Sequence, residues 1–583
     1  MRKLNVAALI DTFCPPHPAH VLSCGRGVAA LLLAILDDHH VLYKVGARLE
    51  ERGMIPLLQP GLTRASLHDY RLGQLLDARF AANLNRVFGA SALNALEVYA
   101  LSTPWLHQDT TTITLYGAYE GEAPPDTGPI PPRPAYGHSK DGRDDLKHVL
   151  LSLGVSSEGL PLRMGVRDGN TSDSTETPVA IEECLALGLD GVRGIVADSK
   201  AYCKRTLGLC LERRVGLITL VPRTCAVRQE LERGGQQQET LPLLLEKPGR
   251  TRQEPPRRWH GQSVTRPVAV EYADGRLDVA ERRFLVVHSS QRAHQAAVAY
   301  AAAQAKEAEW LTAHVQHVEA RWFACAADAA AAIAEYEGRG QGRRGRQPRP
   351  WRYHGLHYQV EAISVPQKRT RRGRPPKAAA PQIESRYRLR VHAEALVPSE
   401  DAHGWTVLAT PVGPAGCTDT ELLQAYQGQH TTVEPGFRWI KKPAAISPVW
   451  LEKPARIAAL AMLTVVGLLV YAVIQLQVRL YLRAHGQQGS GNKGPTATPT
   501  AAVVFALFAP VMLVQLVVDN RTSLQSHGVQ DHPLIICEAV GMDPAWYQGV
   551  ATGQNSLPRT TPPCTWVDRW PTTGLWSRAT PLP

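Results

Sequence analysis

Tyr426-Gln-Gly-Gln-His430-Thr-Thr-Val-Glu434-Pro-Gly-Phe-Arg438-Trp-Ile-Lys441 is the stretch on which the reading of this chain turns. At about 100° per residue, Tyr426, His430, Glu434 and Lys441 fall within one narrow arc of a helix. A lone carboxylate between an aromatic ring and basic groups makes a poor core face, and is suited to holding a metal ion beside a phosphate. Upstream, Thr418-x-x-Glu421 has the form of a capping box and starts the helix. Pro435 removes a backbone donor and disfavours a helical Glu434, which predicts a break at 433. A second helical piece then begins near Glu434 with Pro435 in its first turn, where the helix dipole favours a carboxylate.

Two further acids stand far upstream. Asp109 lies in Leu106-His107-Gln108-Asp109-Thr110-Thr111-Thr112, ahead of a strand of β-branched residues. Asp198 closes the short apolar run Gly194-Ile195-Val196-Ala197. Taken singly, an Asp before Ser or Thr also reads as a turn or a helix cap. Taken together, three such acids suit Mg²⁺, which binds a few carboxylates plus water and substrate oxygens. Two such ions serve in-line displacement at phosphorus.

The charge distribution points to a polyanionic partner. The 583 residues carry a formal charge of +11. Between residues 339 and 377 stand twelve Lys or Arg, among them Arg371, Arg372, Arg374 and Lys377, against the single acid Glu361. That stretch alone accounts for the whole excess, and a focused basic segment binds polyanions more tightly than diffuse charge does. Its Arg-Gly-Arg-Pro core is similar to an arm that lies in the minor groove of A·T-rich DNA, with a solvated basic loop as the plain alternative. The ten cysteines form no Cys-x2-Cys pair, which disfavours a zinc site, and the start lacks a signal core. A reduced, cytoplasmic chain is expected.

Along the sequence, residues 1–100 read as a helical N-terminal domain with a role in binding DNA ends. There His68, Arg71 and Arg79 either meet DNA or lie on a solvated helix face. Residues 101–213 read as the first part of a mixed α/β core, with strands at Ile113–Tyr116, Leu160–Val166 and Val192–Ala197 and a helix at Pro178–Leu187. Residues 214–415 read as a β-rich insertion containing a hairpin turning at Asp274-Gly275, an Ala-rich helical stretch at 291–337 and the basic segment 338–377. Residues 416–520 complete the core, and 521–583 read as a poorly ordered tail. The run Ile457–Ile474 is apolar enough to be either a buried core helix or a membrane span, and 501–518 reads the same way.

With these residues in place the chain resembles the transposases of bacterial insertion sequences, which carry an Asp, Asp, Glu triad on an RNase H-like core. It is most similar to those with a β-rich insertion before the final Glu. The match rests on the Asp109-Thr-Thr strand, Gly137-His138-Ser139-Lys140-Asp141 through Lys147, and Val196-Ala197-Asp198-Ser199. It continues through Arg283 to Gln291, Val433 to Lys442, and the apolar helix after Lys453-Pro454. The resemblance implies that Asp109, Asp198 and Glu434 bind Mg²⁺, or Mn²⁺ in its place, and carry strand cleavage and transfer. It implies that Tyr426, His430, Arg438 and Lys441 contact transposon-end DNA, and that a homodimer pairs two ends before attack on target DNA. His430 stands where the family's signature usually has Arg, and Tyr426 is one residue further from the acid than usual. The alternatives are a catalytically inactive descendant that binds DNA, and a membrane protein spanning near 457–474 and 501–518.

Overall fold

The computed structural model describes residues 4–15, 21–37, 41–59, 61–101, 103–120, 128–189, 191–249, 254–337, 351–366, 383–397, 403–410, 416–441, 451–491, 494–518, 521–527 and 531–543. The fold is mixed α/β with a large mixed sheet. Two compact units divide the chain. The first comprises residues 1–222, 265–284 and 408–583, and the second residues 223–264 and 285–407.

The first unit opens with helices: α1 (Val6–Phe13), α2 (Cys24–Leu36), α3 (Leu42–Glu51), the short α4 (Ile55–Leu58), α5 (Asp69–Ala81) and α6 (Leu84–Val98). The apolar run expected to be helical from Leu72 to Phe88 is broken at Asn83, whose φ of +67 turns the chain and whose side chain caps α6 through the Arg86 amide. Neither proposed role of the basic residues of α5 survives at Arg79, which is fully buried. His68 instead caps α5 by accepting from the Arg71 amide, and Arg71 donates to the Leu22 carbonyl at 2.9 Å.

Five strands follow: β1 (Trp105–Thr114), β2 (His148–Ser156), β3 (Pro161–Arg167), β4 (Gly194–Ala197) and β5 (Gly216–Leu220), in spatial order β3-β2-β1-β4-β5. β1 runs antiparallel to β2 and parallel to β4, and β4 runs parallel to β5. Between them lie α7 (Asp173–Ala186) and α8 (Lys204–Glu212). β1 starts eight residues before the expected Ile113, so Asp109 lies within the strand and not ahead of it. Its threonines are β-branched, which suits a strand, and their hydroxyls find partners that allow burial. Thr110 donates to Asp173, Thr112 accepts from the Lys140 amide and Thr114 donates to Asp141. The strand β2 has no counterpart in the sequence reading, since it is buried at every position and shows no alternation.

In the second unit, α9 (Ala226–Gln236) precedes β6 (Leu243–Lys247), which pairs antiparallel with β7 (Arg257–Glu271). β7 leads into β8 (Leu277–Ser289) through the expected turn, which lies in the 265–284 segment of the first unit: Gly275 has φ +81 and donates to the Tyr272 carbonyl at 2.9 Å. The helices α10 (Ser290–Glu319) and α11 (Ala326–Glu337) cover a three-stranded sheet of β9 (Trp322–Phe323), β10 (His354–Pro366) and β11 (Ile383–Ala395). Val318, Phe323, Tyr336 and Leu389 form its core. The basic residues Arg371, Arg372, Arg374 and Lys377 lie outside the described residues.

Back in the first unit, Leu408 and Ala409 of β12 (Trp405–Thr410) pair with β5, and α12 (Asp419–Ile440) and α13 (Pro454–Ala484) complete the core. α13 is the one helix among the described residues long and apolar enough to cross a membrane, and 89% of its most apolar window is buried inside the protein. It packs on α2, α5, α6 and β3, and Arg456 at its start is tied to Asp77 of α5 at 2.6 Å. The stretch 501–518 is no single helix. It forms α14 (Ala501–Ala506) and then β13 (Met512–Val518), because Pro510 ends the helical run and the β-branched residues beyond favour a strand. β14 (Arg521–His527) and α15 (Asp531–Ala539) give structure to the start of what reads as a tail, while residues 544–583 lie outside the described residues.

Candidate active site

Strand register brings the two distant aspartates together. In the parallel pair β1–β4, Gln108 stands opposite Ala197, so the next residues in step are Asp109 and Asp198. Neighbouring strands lie about 4.8 Å apart, which makes the two carboxylates immediate neighbours. Asp198 also does what a plain cap does: its Oδ1 accepts from the Lys200 amide at 2.9 Å at the head of a short 3-10 turn. Capping leaves the second oxygen of the carboxylate for other work.

A third acid, which the sequence reading missed, joins them. Asp173 sits in the first turn of α7, its Oδ1 accepting from Thr110 Oγ1 at 2.5 Å and its Oδ2 lying 3.3 Å from Lys140 Nζ. Lys140 also donates to the Thr110 carbonyl at 2.9 Å. Pro178 obscured the true start of α7: the helix begins five residues earlier, where Ser172 caps it by accepting from the Thr175 amide. Ser172-Asp173-x-Thr175 is a helix-start pattern, and it was the available signal.

The electrostatics follow from burial and crowding. Burial pushes the Asp109 carboxyl up to about 6, with Asp198 and Asp173 adding to the rise and Lys140 and the Thr110 amide opposing it. Asp198 is likewise pushed up, first by burial and then by Asp173, against the pull of the Lys200 amide, Lys140 and Lys200. Lys140 is thus the resident positive charge among three acids. Burial also drives His107 down to about 4, so its ring is neutral at pH 7.

Glu434 comes from α12, which is one unbroken helix from Asp419 to Ile440 with Pro435 inside it, contrary to the expected break. A proline in a helix interior costs about 3 kcal/mol, and the rest of the helix carries that cost. The capping box between Thr418 and Glu421 is complete, and Leu422, Leu423, Tyr426, Val433, Phe437 and Ile440 bury one face. α12 packs on β1, β2, β4 and β5. Its Gly428 lies so close to His107 that an added Cβ would stand 3.1 Å from the ring. Thirteen residues on, Lys441 pairs with Asp141, which also accepts from Thr114 at 3.0 Å. Helix and strand therefore run the same way. Glu434 is about 9 Å along the helix from Gly428, at about 1.5 Å per residue. Asp109 is about 7 Å along the strand from His107 and on the same face of it. These rises put Glu434 at about the level of Asp109 along the sheet.

The groups around Glu434 are less free than the sequence suggested. His430 Nδ1 is 2.5 Å from Glu434 Oε1, and both side chains are about half exposed. Tyr426 is buried, its ring edge-on to His430 with centroids 6.5 Å apart. Lys441 is paired with Asp141, whereas Arg438 is exposed near the end of the helix.

Among the described residues no three His, Cys, Asp or Glu side chains stand close enough to enclose a metal ion as placed. The chemistry of the donors suits a hard cation nonetheless. Adjacent carboxylates raised by burial and mutual repulsion gain from a divalent ion, and Mg²⁺ requires only one or two of them.

A buried ionic lattice fixes α7, and with it Asp173, to the sheet. Arg163 of β3 reaches Glu176 at 2.7 Å and Glu183 through its Nε at 2.6 Å. Arg167 reaches the same two acids at 2.8 Å each. Burial works against the Glu176 charge, but Arg163 and Arg167 outweigh it and hold the carboxyl below its usual range.

A family model described as a domain of unknown function (DUF4277) matches residues 1–93. No curated protein matches the chain.

Proposed function

We propose that the chain is a DNA transposase of the Asp, Asp, Glu type, cleaving the ends of a mobile element and joining them to target DNA. The observation that carries this reading is the register that sets Asp109 beside Asp198, on strands against which α12, the helix of Glu434, packs. On this reading the sheet and its helices are an RNase H-like core. Asp109, Asp198 and Glu434 would hold Mg²⁺ or Mn²⁺, which when bound neutralises phosphate charge and makes water a better nucleophile.

The protein's own groups do the rest. Lys140 balances the buried acids before substrate arrives, and His430 fixes the Glu434 carboxylate by its Nδ1 contact. Arg438, exposed beyond Glu434, meets the backbone of the element end, with Tyr426 and Lys441 bracing the helix that carries it. Water attacks the phosphodiester at the element end and releases a 3′-hydroxyl. That oxygen then attacks a target phosphodiester, so that one ester bond forms as another breaks. The basic segment 338–377 supplies sequence-independent affinity for both DNAs, and a homodimer holds the two ends.

A second reading is an inactive descendant that only binds DNA. Two observations favour it: Glu434 is hydrogen-bonded to His430, and Pro435 sits within the helix. Labelled element-end DNA incubated with purified protein and Mg²⁺ decides between the two. Wild type is expected to nick the end, and Glu434→Ala to bind the DNA without nicking it. Nicking that survives Glu434→Ala would overturn the site, and binding without nicking by wild type would favour the inactive descendant.

A further inference from the structure

The N-terminal helices hold a buried arrangement that the transposase reading leaves unused. Cys14 ends α1 and Cys24 is the first residue of α2; both are buried, and their thiols lie close enough to shift one another's proton affinity. The two helices touch closely enough that a Cβ on Gly25 would stand 1.9 Å from the Ala7 carbonyl oxygen. Against the thiols lies Arg79 of α5, wholly buried, with all three guanidinium nitrogens lacking a hydrogen-bond partner among the described residues.

A guanidinium does not lose its proton in a protein, and burying it unpaired costs several kcal/mol. The arrangement therefore calls for an anion. Asp11 is close enough to act on Arg79, but its carboxylate is engaged at the start of α2, accepting from Ser23 Oγ at 2.8 Å and the Gly25 amide at 2.6 Å. Among the described residues the remaining source is a thiolate. Cys24 has both features that stabilise one, a helix N-terminus and a neighbouring arginine. The Cys14 thiol and then the charges of Arg79 and Arg71 hold the Cys24 thiol down, while the same proximity pushes Cys14 up. Cys14 keeps its proton, directed to the Ala78 carbonyl at 3.6 Å.

We propose that Cys14 and Cys24 are a peroxide-reactive dithiol, a modification site in which Cys24 is the attacking sulfur and Cys14 the resolving one. The Cys24 thiolate attacks one oxygen of hydrogen peroxide, the O–O bond breaks, and a sulfenic acid and hydroxide result. The Cys14 sulfur then displaces the sulfenic oxygen, and its proton leaves with that oxygen as water. A disulfide forms between the sulfurs as one peroxide is reduced.

The full-length chain, reduced and freed of reductant, tests this. Hydrogen peroxide is expected to produce a species lighter by two hydrogens, with Cys14 and Cys24 in one cross-linked peptide. Cys14→Ser should stop at a sulfenic acid on Cys24 that dimedone traps. The pH midpoint for iodoacetamide labelling of Cys24 should lie below that of the exposed Cys325, and Arg79→Met should raise it by at least about one pH unit. Should Arg79→Met fail to fold, Cys14→Ser must raise the same midpoint, since it removes the neighbouring thiol. A Cys24 midpoint at or above that of Cys325, or peroxide treatment that leaves the two residues unlinked, overturns the proposal.

Discussion

Asp109→Asn is expected to abolish DNA cleavage while making the metal-free protein more stable at neutral pH. The stability gain follows from linkage. The Asp109 carboxyl is raised from 3.8 to about 6, chiefly by burial. A carboxyl whose folded pKa exceeds its unfolded one binds more protons when folded, so its contribution to stability is complete below about pH 4 and is lost as pH rises through about 6. At pH 7.5 the charged side chain therefore destabilises the fold by roughly 3 kcal/mol, since a tenfold change in proton affinity is worth about 1.4 kcal/mol. Asn removes the charge and keeps an oxygen for the Thr110 amide, which donates at 2.7 Å in the native chain. Melting at pH 7.5 should rise by a few degrees, and the difference should shrink towards pH 4. If Asp109 holds the metal as proposed, its loss should lower cleavage at least about a thousandfold, equivalent to about 4 kcal/mol of transition-state stabilisation. A residue retained for the fold alone would lose stability on substitution, so the two readouts moving in opposite directions is the diagnostic result.

Glu176→Gln should be the most damaging single change in the first unit. Glu176 is almost wholly inaccessible and bridges Arg163 and Arg167, which share no other acid than Glu183 in the lattice. Neutralising it leaves two guanidinium groups at a largely buried site with one carboxylate between them, at a cost of about 3–5 kcal/mol. Chemical denaturation should show this as a lower midpoint with an unchanged slope. Cleavage should fall as well, because α7 carries Asp173 and is held to β3 through this lattice. Retention of wild-type stability would mean that a neutral amide in place of the Glu176 carboxylate, together with Glu183, suffices for both arginines.

The sequence was most legible where local chemistry and burial agree. The capping box at Thr418 and the apolar spacing after it announce α12, and the apolar run from Ile457 announces the long helix α13, whose burial against α2, α5, α6 and β3 only the fold reveals. Asp198 stands at the end of its strand as the short run before it indicates. The sequence was least legible where tertiary partners override local preference. β2 is buried throughout and gives no period, and the threonines of β1 conceal a core strand because their hydroxyls are satisfied by residues far along the chain. Pro435 predicts a break that packing of α12 against the sheet and α13 prevents. Asp173 was hidden behind Pro178, which looks like a helix start and is in fact interior. Around the candidate site, the paired aspartates Asp109 and Asp198 could be picked out from sequence, whereas Asp173, Lys140 as their counter-charge and the engagement of Lys441 by Asp141 required three-dimensional neighbours.

The central claim is that Asp109 and Asp198 form one cation site. It is tested most directly by following the melting temperature of the DNA-free protein as Mg²⁺ is titrated. Ligand that binds only the folded state raises stability with its concentration, by about 2.7 kcal/mol at a hundred times the dissociation constant. The account predicts a saturable rise for wild type that disappears in both Asp109→Asn and Asp198→Asn. No rise in wild type, or an equal rise in all three proteins, would contradict it.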